Sequence, residues 1–392
     1  MILKYRPEMF GNHILTPSRL ETIRNNINES VLTVLDGTQR PSGGRFGFGW
    51  NDALTMSGAD YSPFGLEKYT VDLTTLELKG YQHGRLFVRS NYGGSSQLAA
   101  ERSLINSHIV SDFYAVQAFA LKYFISGDEQ AAGKAVEILE TWAAIEFWNM
   151  PVSDTRLLMS SKWPGYILSA MLISGSDAYT EPVSNRLKAA TAKWWPQLST
   201  AYASGQSNWA AWGCVFEMSC AVFLGDKDRF NKATLLWRRV FDRSVSADIP
   251  WTEIGRSGGE DLGAEGGISG IQYSNFFVNA MVRAAEIARV NGVWLYDHVS
   301  PDGSTLRKLY ENCVGWVRDW ETGPYSGPET PTRNIQSYIH ILHNLWPTDD
   351  STNIVEGQPS PSGDAVGPGD VFQDFTGHSF TPLIYCENPF ND

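Results

Sequence analysis

Ser126-Gly127-Asp128, followed by Lys134-Ala135, returns later in the chain as Gly225-Asp226 followed by Lys232-Ala233 at the same offset. Each time the glycine suits a left-handed helix C-cap, and the aspartate can cap the helix that follows. Upstream of the first junction, Ile109, Phe113, Val116 and Ala120 stand at helical spacing and form one apolar stripe. Looser junctions occur at Gly175-Ser176-Asp177 and Asn291-Gly292. Their separation of roughly fifty residues or more is that of one helical hairpin with its loops. The spacing predicts hairpins over 97–126 with 128–146, 154–175 with 179–203, 207–224 with 227–246 and 272–290 with 302–320, then a last helix over 332–346. Hairpins in a row make either an open solenoid or a ring. The expected fold class is all-α, an incomplete α/α toroid whose inner helix ends enclose a cleft.

The flanks read differently. Residues 1–16 suggest an extended lead-in, and Thr16-Pro17-Ser18 starts a helix with proline near its first turn. Residues 39–96, rich in Gly, Ser, Tyr and Asn, predict long loops with short strands running over the cleft, and loops of that length usually carry function. Residues 347–392 predict an irregular tail. The whole of 1–392 is expected to be one domain, large enough at 42% apolar residues to bury a sizeable core.

Charge and cysteines narrow the function classes. The 31 basic and 43 acidic residues give a net charge of −12, which argues against a nucleic-acid partner. No apolar run approaches a membrane span. The four cysteines, Cys214, Cys220, Cys313 and Cys386, show no zinc spacing. Cys214 and Cys220, six apart on one predicted helix, should not pair, whereas Cys313 with Cys386 is open. There is no P-loop, dinucleotide fingerprint, GxSxG or HExxH motif, so no cofactor or metal is expected. Oligomeric state is not legible.

Two chemistries fit the polar residues. The first is β-elimination on a uronic-acid polymer. The proton beside the uronate carboxylate is very weakly acidic while that carboxylate stays charged, so the site must hold and neutralise it. It must also supply a base, and an acid for the leaving oxygen. Asn208, Arg256, Tyr273, Arg333, His340 and His343 are the available groups, with His108 on the first inner helix. Each has a plainer alternative. Asn208 suits a helix N-cap, Tyr273 an amphipathic core position, Arg256 a surface loop, and His340 with His343 a packed pair on one helix face. The second chemistry is hydrolysis by two carboxylates among Glu253, Glu260, Asp261 and Glu265, which crowd a glycine-rich loop. Acidic loop residues are more often simply solvated. Of the fourteen tryptophans, Trp209, Trp212 and Trp251 lie beside the polar candidates and can face sugar rings. A non-catalytic glycan-binding scaffold would share these aromatic features.

The chain resembles the alginate-lyase-like helical-toroid polysaccharide lyases over residues 95–346 and at Asn12-His13-Ile14-Leu15-Thr16 with Leu20 and Arg24. Asn208-Trp209 resembles the Asn-Trp that opens an inner helix in the glucuronan and alginate lyases of polysaccharide lyase family 38. Tyr273-Ser274-Asn275 looks like the Tyr-His-Asn of the more distant family 5 alginate lyases, where the tyrosine is the catalytic acid/base. The segment from Arg333 to His343 is similar to a later family 38 segment in which tyrosines and a histidine follow an arginine, and His340 falls on one of those tyrosines. The sequence departs from both patterns. Trp209, not histidine, follows Asn208, and Tyr and His have exchanged places relative to family 38. The loop between Arg256 and Tyr273 is also longer than in family 5. The resemblance implies a lyase of an anionic uronate polysaccharide, glucuronan or alginate. It implies Tyr273, Asn208, His340, Arg333 and Arg256 as catalytic groups, and beside these the residues themselves offer Trp209, Trp212, His108 and His343 as expected substrate contacts. It also implies a secreted enzyme, although Met1-Ile2-Leu3-Lys4-Tyr5-Arg6-Pro7 has no signal-peptide core.

Overall fold

The computed structural model describes residues 112–355, apart from 114, 118, 125, 145–146, 149–152, 200–205, 258–259, 262–266, 326–330 and 332–337, together with strand residues 70–71, 78–80 and 85–86. The lead-in and first helix, the rest of 39–96, His108, Arg333, Cys386 and the tail beyond 355 lie outside the described residues. The chain divides into two compact units, Ile27–Ala201 and Met1–Asn26 with Tyr202–Asp392.

In the first unit, β1 (Thr70–Val71) pairs antiparallel with β2 (Leu78–Gly80), and β3 (Arg85–Leu86) pairs parallel with β4 (Phe147–Trp148). Of these, β1, β2 and β3 fall within 39–96, where short strands are expected. Helical residues between 112 and 126 (α1) bury Phe113, Val116 and Ala120, the stripe read from the sequence. Gly127 then takes φ 73°, and Asp128 accepts from the N–H groups of Gln130 and Ala131 to start α2 (Glu129–Ala143). Two further helices among the described residues of the unit are α3 (Ser153–Leu172) and α4 (Glu181–Ser199), with α2 packed on both. Its core is aromatic. Trp163 meets Trp194 edge-on at 4.6 Å, stacks on Tyr166 at 5.4 Å and donates from Nε1 to Thr191 Oγ1. Within this core Lys162 is 1% exposed, its ammonium 4.6 Å from the centre of the Phe113 ring, and burial lowers its pKa to about 7.

The second unit is built on two helices buried on nearly every face, α5 (Ser207–Leu224) and α8 (Gly270–Val290). Glu217 is the only charged residue in α5, so the helix is apolar all round and belongs inside. Helix α8 buries Asn275, Asn279, Arg283 and Glu286. It can do so because these groups bond: Asn275 to the Ile271 carbonyl, Arg283 to Asn279, and Glu286 to Arg289 and the Tyr296 hydroxyl. Around them lie one-sided helices. The second Gly-Asp junction repeats the first, with Gly225 at φ 74° and Asp226 accepting from the Arg229 N–H, and it starts α6 (Lys227–Ser244). Helix α9 (Leu306–Arg318) packs on α8, as does α10 (Tyr338–Leu345). The predicted last helix is thus described from residue 338. The tail read as irregular from 347 begins instead with a helix, α11 (Asp349–Val355), whose start is held by Thr348 and Ser351.

Cys214 and Cys220 on α5 are buried free thiols, unpaired as their spacing predicts, and Cys313 on α9 is a third. Burial raises all three thiol pKa values, and Glu217 adds to the effect at the first two.

Candidate active site

Asn208 is the second residue of α5. Gln206, the N-cap, offers no side-chain bond, and Ser207 sits at φ 75°, a left-handed conformation unusual for a residue with a Cβ. The missing cap comes from elsewhere. Glu253, on the single-turn helix α7 (Trp251–Ile254), is fully buried, and its Oε1 accepts the Asn208 backbone N–H at 2.6 Å. Its Oε2 accepts from Asn208 Nδ2 at 2.8 Å. A carboxylate at a helix start is favoured by the helix dipole as well as by these bonds. Asn208 is therefore not the cap itself but a helical residue whose side chain a buried anion holds.

The same single turn fixes the start of α8. The Ile254 carbonyl accepts the Gly267 N–H at 2.9 Å, and Gly270 passes so close to it that only glycine fits. The starts of α5 and α8 thereby meet at α7. Tyr273 lies one turn into α8, half-buried, with its ring edge-on to Phe276 at 5.7 Å. Two residues on, Asn275 accepts from the Tyr338 hydroxyl at 2.6 Å, which brings α10 against the first turns of α8. Burial, with Cys313 and Tyr310 nearby, pushes the Tyr338 phenol well above its usual pKa, so it stays a donor. Helix α10 also carries His340, half-buried. Desolvation, and secondarily the neighbouring His343, lower its pKa to about 4, so its imidazole is neutral at neutral pH and able to accept a proton.

The structure thus brings Asn208, Tyr273 and the His340 helix to one end of the buried pair α5 and α8. Arg256 follows α7 by two residues, on strand β5 (Arg256–Ser257), of which only the backbone is described. Arg333 and His108 are outside the described residues. Trp209 is half-buried and Trp251 is 50% exposed. Trp212 is a correction: at 1% exposure it is core, because α5 is apolar on the face that carries it, and it cannot stack on a ligand. His343 shares a 2.9 Å hydrogen bond with Ser351 Oγ, a tie between α10 and α11.

Glu253 is a second correction. It is neither a solvated loop acid nor available to a glycosidic bond, since both oxygens are taken and it has no exposed surface. Glu260 and Asp261 form strand β6, paired with β5, with only their backbone described, and Glu265 is outside the described residues. Sequence reading missed the positions of Glu253, Asn275 and Tyr338. The one available signal was Pro250-Trp251 ahead of Glu253, a helix-start pattern inside what reads as loop. Among the described residues, no group of three or more His, Cys, Asp or Glu is placed to hold a metal, and no helix is long and apolar enough to cross a membrane.

Comparison with solved structures places the fold among known enzymes. An alginate lyase from Bacteroides ovatus is similar with a TM-score of 0.60 and 15% identity, over 96% of this chain and 99% of that one. Alginate lyase A1-III from Sphingomonas species A1 is similar with a TM-score of 0.64 and 12% identity, over 98% of this chain and 97% of that one. A histidine-to-alanine variant of A1-III, solved with a tetrasaccharide, gives a TM-score of 0.59 at 12% identity, over 90% and 91%. No curated protein matches in sequence. The shared fold is the all-α toroid of the polysaccharide lyases, the class expected from the Gly-Asp junctions. The family model for alginate lyase matches residues 94–322, more than half of the chain, and the chain belongs to that family. It is a polysaccharide lyase.

Proposed function

We propose that this lyase cleaves a uronic-acid polysaccharide, alginate or glucuronan, by β-elimination, releasing oligosaccharides with an unsaturated uronate end. The observation that carries the reading is the buried, immobilised Asn208 amide at the helix starts that also present Tyr273. An amide fixed in this way can hold a substrate carboxylate without reorganising as charge builds on it. Arg256 and Arg333 supply the positive charge that such an intermediate needs. His340 and the Tyr273 phenol are the pair that takes the proton beside the carboxylate and gives one to the departing glycosidic oxygen. Trp209 and Trp251 offer faces for sugar rings, and His108 is a further substrate contact.

Alginate is favoured by the family match and by the names of the similar structures. Glucuronan remains the second substrate to test, on the likeness of Asn208-Trp209 to the family 38 motif. The chain is taken as one toroid domain, since the family match runs through the division between the two compact units, and as a secreted enzyme that meets its polymer outside the cell. The test is incubation with each polymer. New reducing ends that appear together with the ultraviolet absorbance of an unsaturated uronate support the proposal. New reducing ends without that absorbance overturn it.

A further inference from the structure

We infer that Glu253 is a positioning residue for the reaction: it determines which way the Asn208 amide faces. This rests on the reading of Asn208 as the group that holds the substrate carboxylate.

An asparagine amide has two chemically opposite ends that differ little in shape. One end donates and the other accepts. Left alone on a helix, it can present either by turning about its last side-chain bond. Glu253 removes that freedom. Its carboxylate can only accept, and its Oε2 lies 2.8 Å from Asn208 Nδ2 while Oε1 takes the backbone N–H of the same residue at 2.6 Å. The two bonds grip side chain and main chain together, so the amide plane is fixed relative to α5. The nitrogen is held on the Glu253 side with one N–H still to give. With the amide turned round, the oxygen would replace that N–H and its lone pairs would meet the negative oxygens of a uronate.

Glu253 is itself held firmly. It is fully buried, and the next residue, Ile254, is fixed by the Gly267 N–H and by the close passage of Gly270. A plain capping role does not account for it. A Ser, Asp or Asn at position 206 would cap α5 without burying a second anion next to an anionic substrate.

The test is Glu253→Gln. Glutamine has the same shape and keeps one oxygen for the backbone N–H, so the cap survives. Its NH₂ then faces Asn208, and the amide must turn to offer its oxygen. The expected result is a thermal midpoint close to wild type with kcat lower by on the order of 10²-fold, as for a lost transition-state donor, and KM little changed. In the double variant N208A/E253Q the loss should be no greater than in N208A alone, because Glu253 acts through Asn208. Near-normal kcat in E253Q, or losses that multiply in the double variant, would overturn the inference. If E253Q unfolds, Glu253→Asp is compared with it at a temperature where circular dichroism shows both folded. The shorter carboxylate still only accepts, so it should retain more activity than the glutamine, and the reverse order also overturns the inference. Normal activity in N208A would instead remove the role given to Asn208, and this inference with it.

Discussion

Gly270 passes the carbonyl oxygen of Ile254 at a separation that leaves no room for a side chain: a Cβ built on it would lie 2.0 Å from that oxygen. The obstacle is backbone, so no side chain can swing aside to relieve it. Gly270→Ala must push α7 away from the start of α8, and α7 carries Glu253. We expect a stability loss of about 1–3 kcal/mol, the usual range for overpacking, together with a large fall in turnover. Gly133→Ala is the control. Nothing lies within 4 Å of a Cβ there, and it sits inside α2, so alanine should stabilise by about 0.5–1 kcal/mol. Chemical denaturation of the two variants, with product formation at each, checks both. Equal stabilities would show that the junction is soft.

Tyr273→Phe removes the hydroxyl and keeps the ring against Phe276. Turnover should fall on the order of 10²–10⁴-fold, as for a lost general acid or base, with the thermal midpoint and oligosaccharide affinity near wild type. His340→Ala should cause a second large loss. Full activity in the phenylalanine variant would pass the proton-transfer role to His340 or His108.

The acid limb of the pH profile should lie unusually low. With the His340 pKa near 4, the imidazole stays neutral down to that pH, and kcat/KM, which reports the free enzyme, should begin to fall near pH 4 rather than near 6.5. Bound polyanion favours the charged ring, so the limb of kcat should lie higher than that of kcat/KM. An acid limb near 6.5 that persists in His340→Ala would assign it to another group.

Lys162 makes stability depend on pH in the alkaline range. Its folded pKa is about 7, against 10.5 for an ordinary lysine. Between those values the unfolded chain holds a proton that the folded chain has given up. Stability should therefore rise from pH 7 to about 10.5, by at most about 1.4 kcal/mol per pH unit from this one group, and should not change further on this account below 7, where both states hold the proton. In Lys162→Met that slope should disappear. Denaturant unfolding at several pH values measures it, and an unchanged slope in the variant would refute the assignment.

What could be read from the sequence was what local chemistry decides. Gly127 and Gly225 announce themselves because a left-handed cap and the aspartate after it need only adjacent residues. The stripe through Phe113, Val116 and Ala120 needs only helical period. The site depends on contacts between distant residues. Glu253 meets Asn208 across 45 positions and Tyr338 meets Asn275 across 63, and no spacing rule joins them. Glu253 was hidden further by its neighbours, since acidic residues beside a glycine-rich loop look solvated until the turn that buries one of them is seen. Trp212 is the opposite case. The near absence of charge between Ser207 and Leu224 already marks α5 as an interior helix, and on such a helix a tryptophan beside a polar residue has no necessary tie to a ligand.

Three sulfhydryl groups, on Cys214, Cys220 and Cys313, are sealed inside the second unit and hold their protons tightly. An alkylating reagent attacks the deprotonated form and must reach it, so in the native molecule these sites are shielded twice over. They become reactive when α5 or α9 leaves the core. In a Cys386→Ser background, the rate of their labelling would then count excursions out of the native packing, and would let the opening of the second unit be timed without denaturant or an added probe.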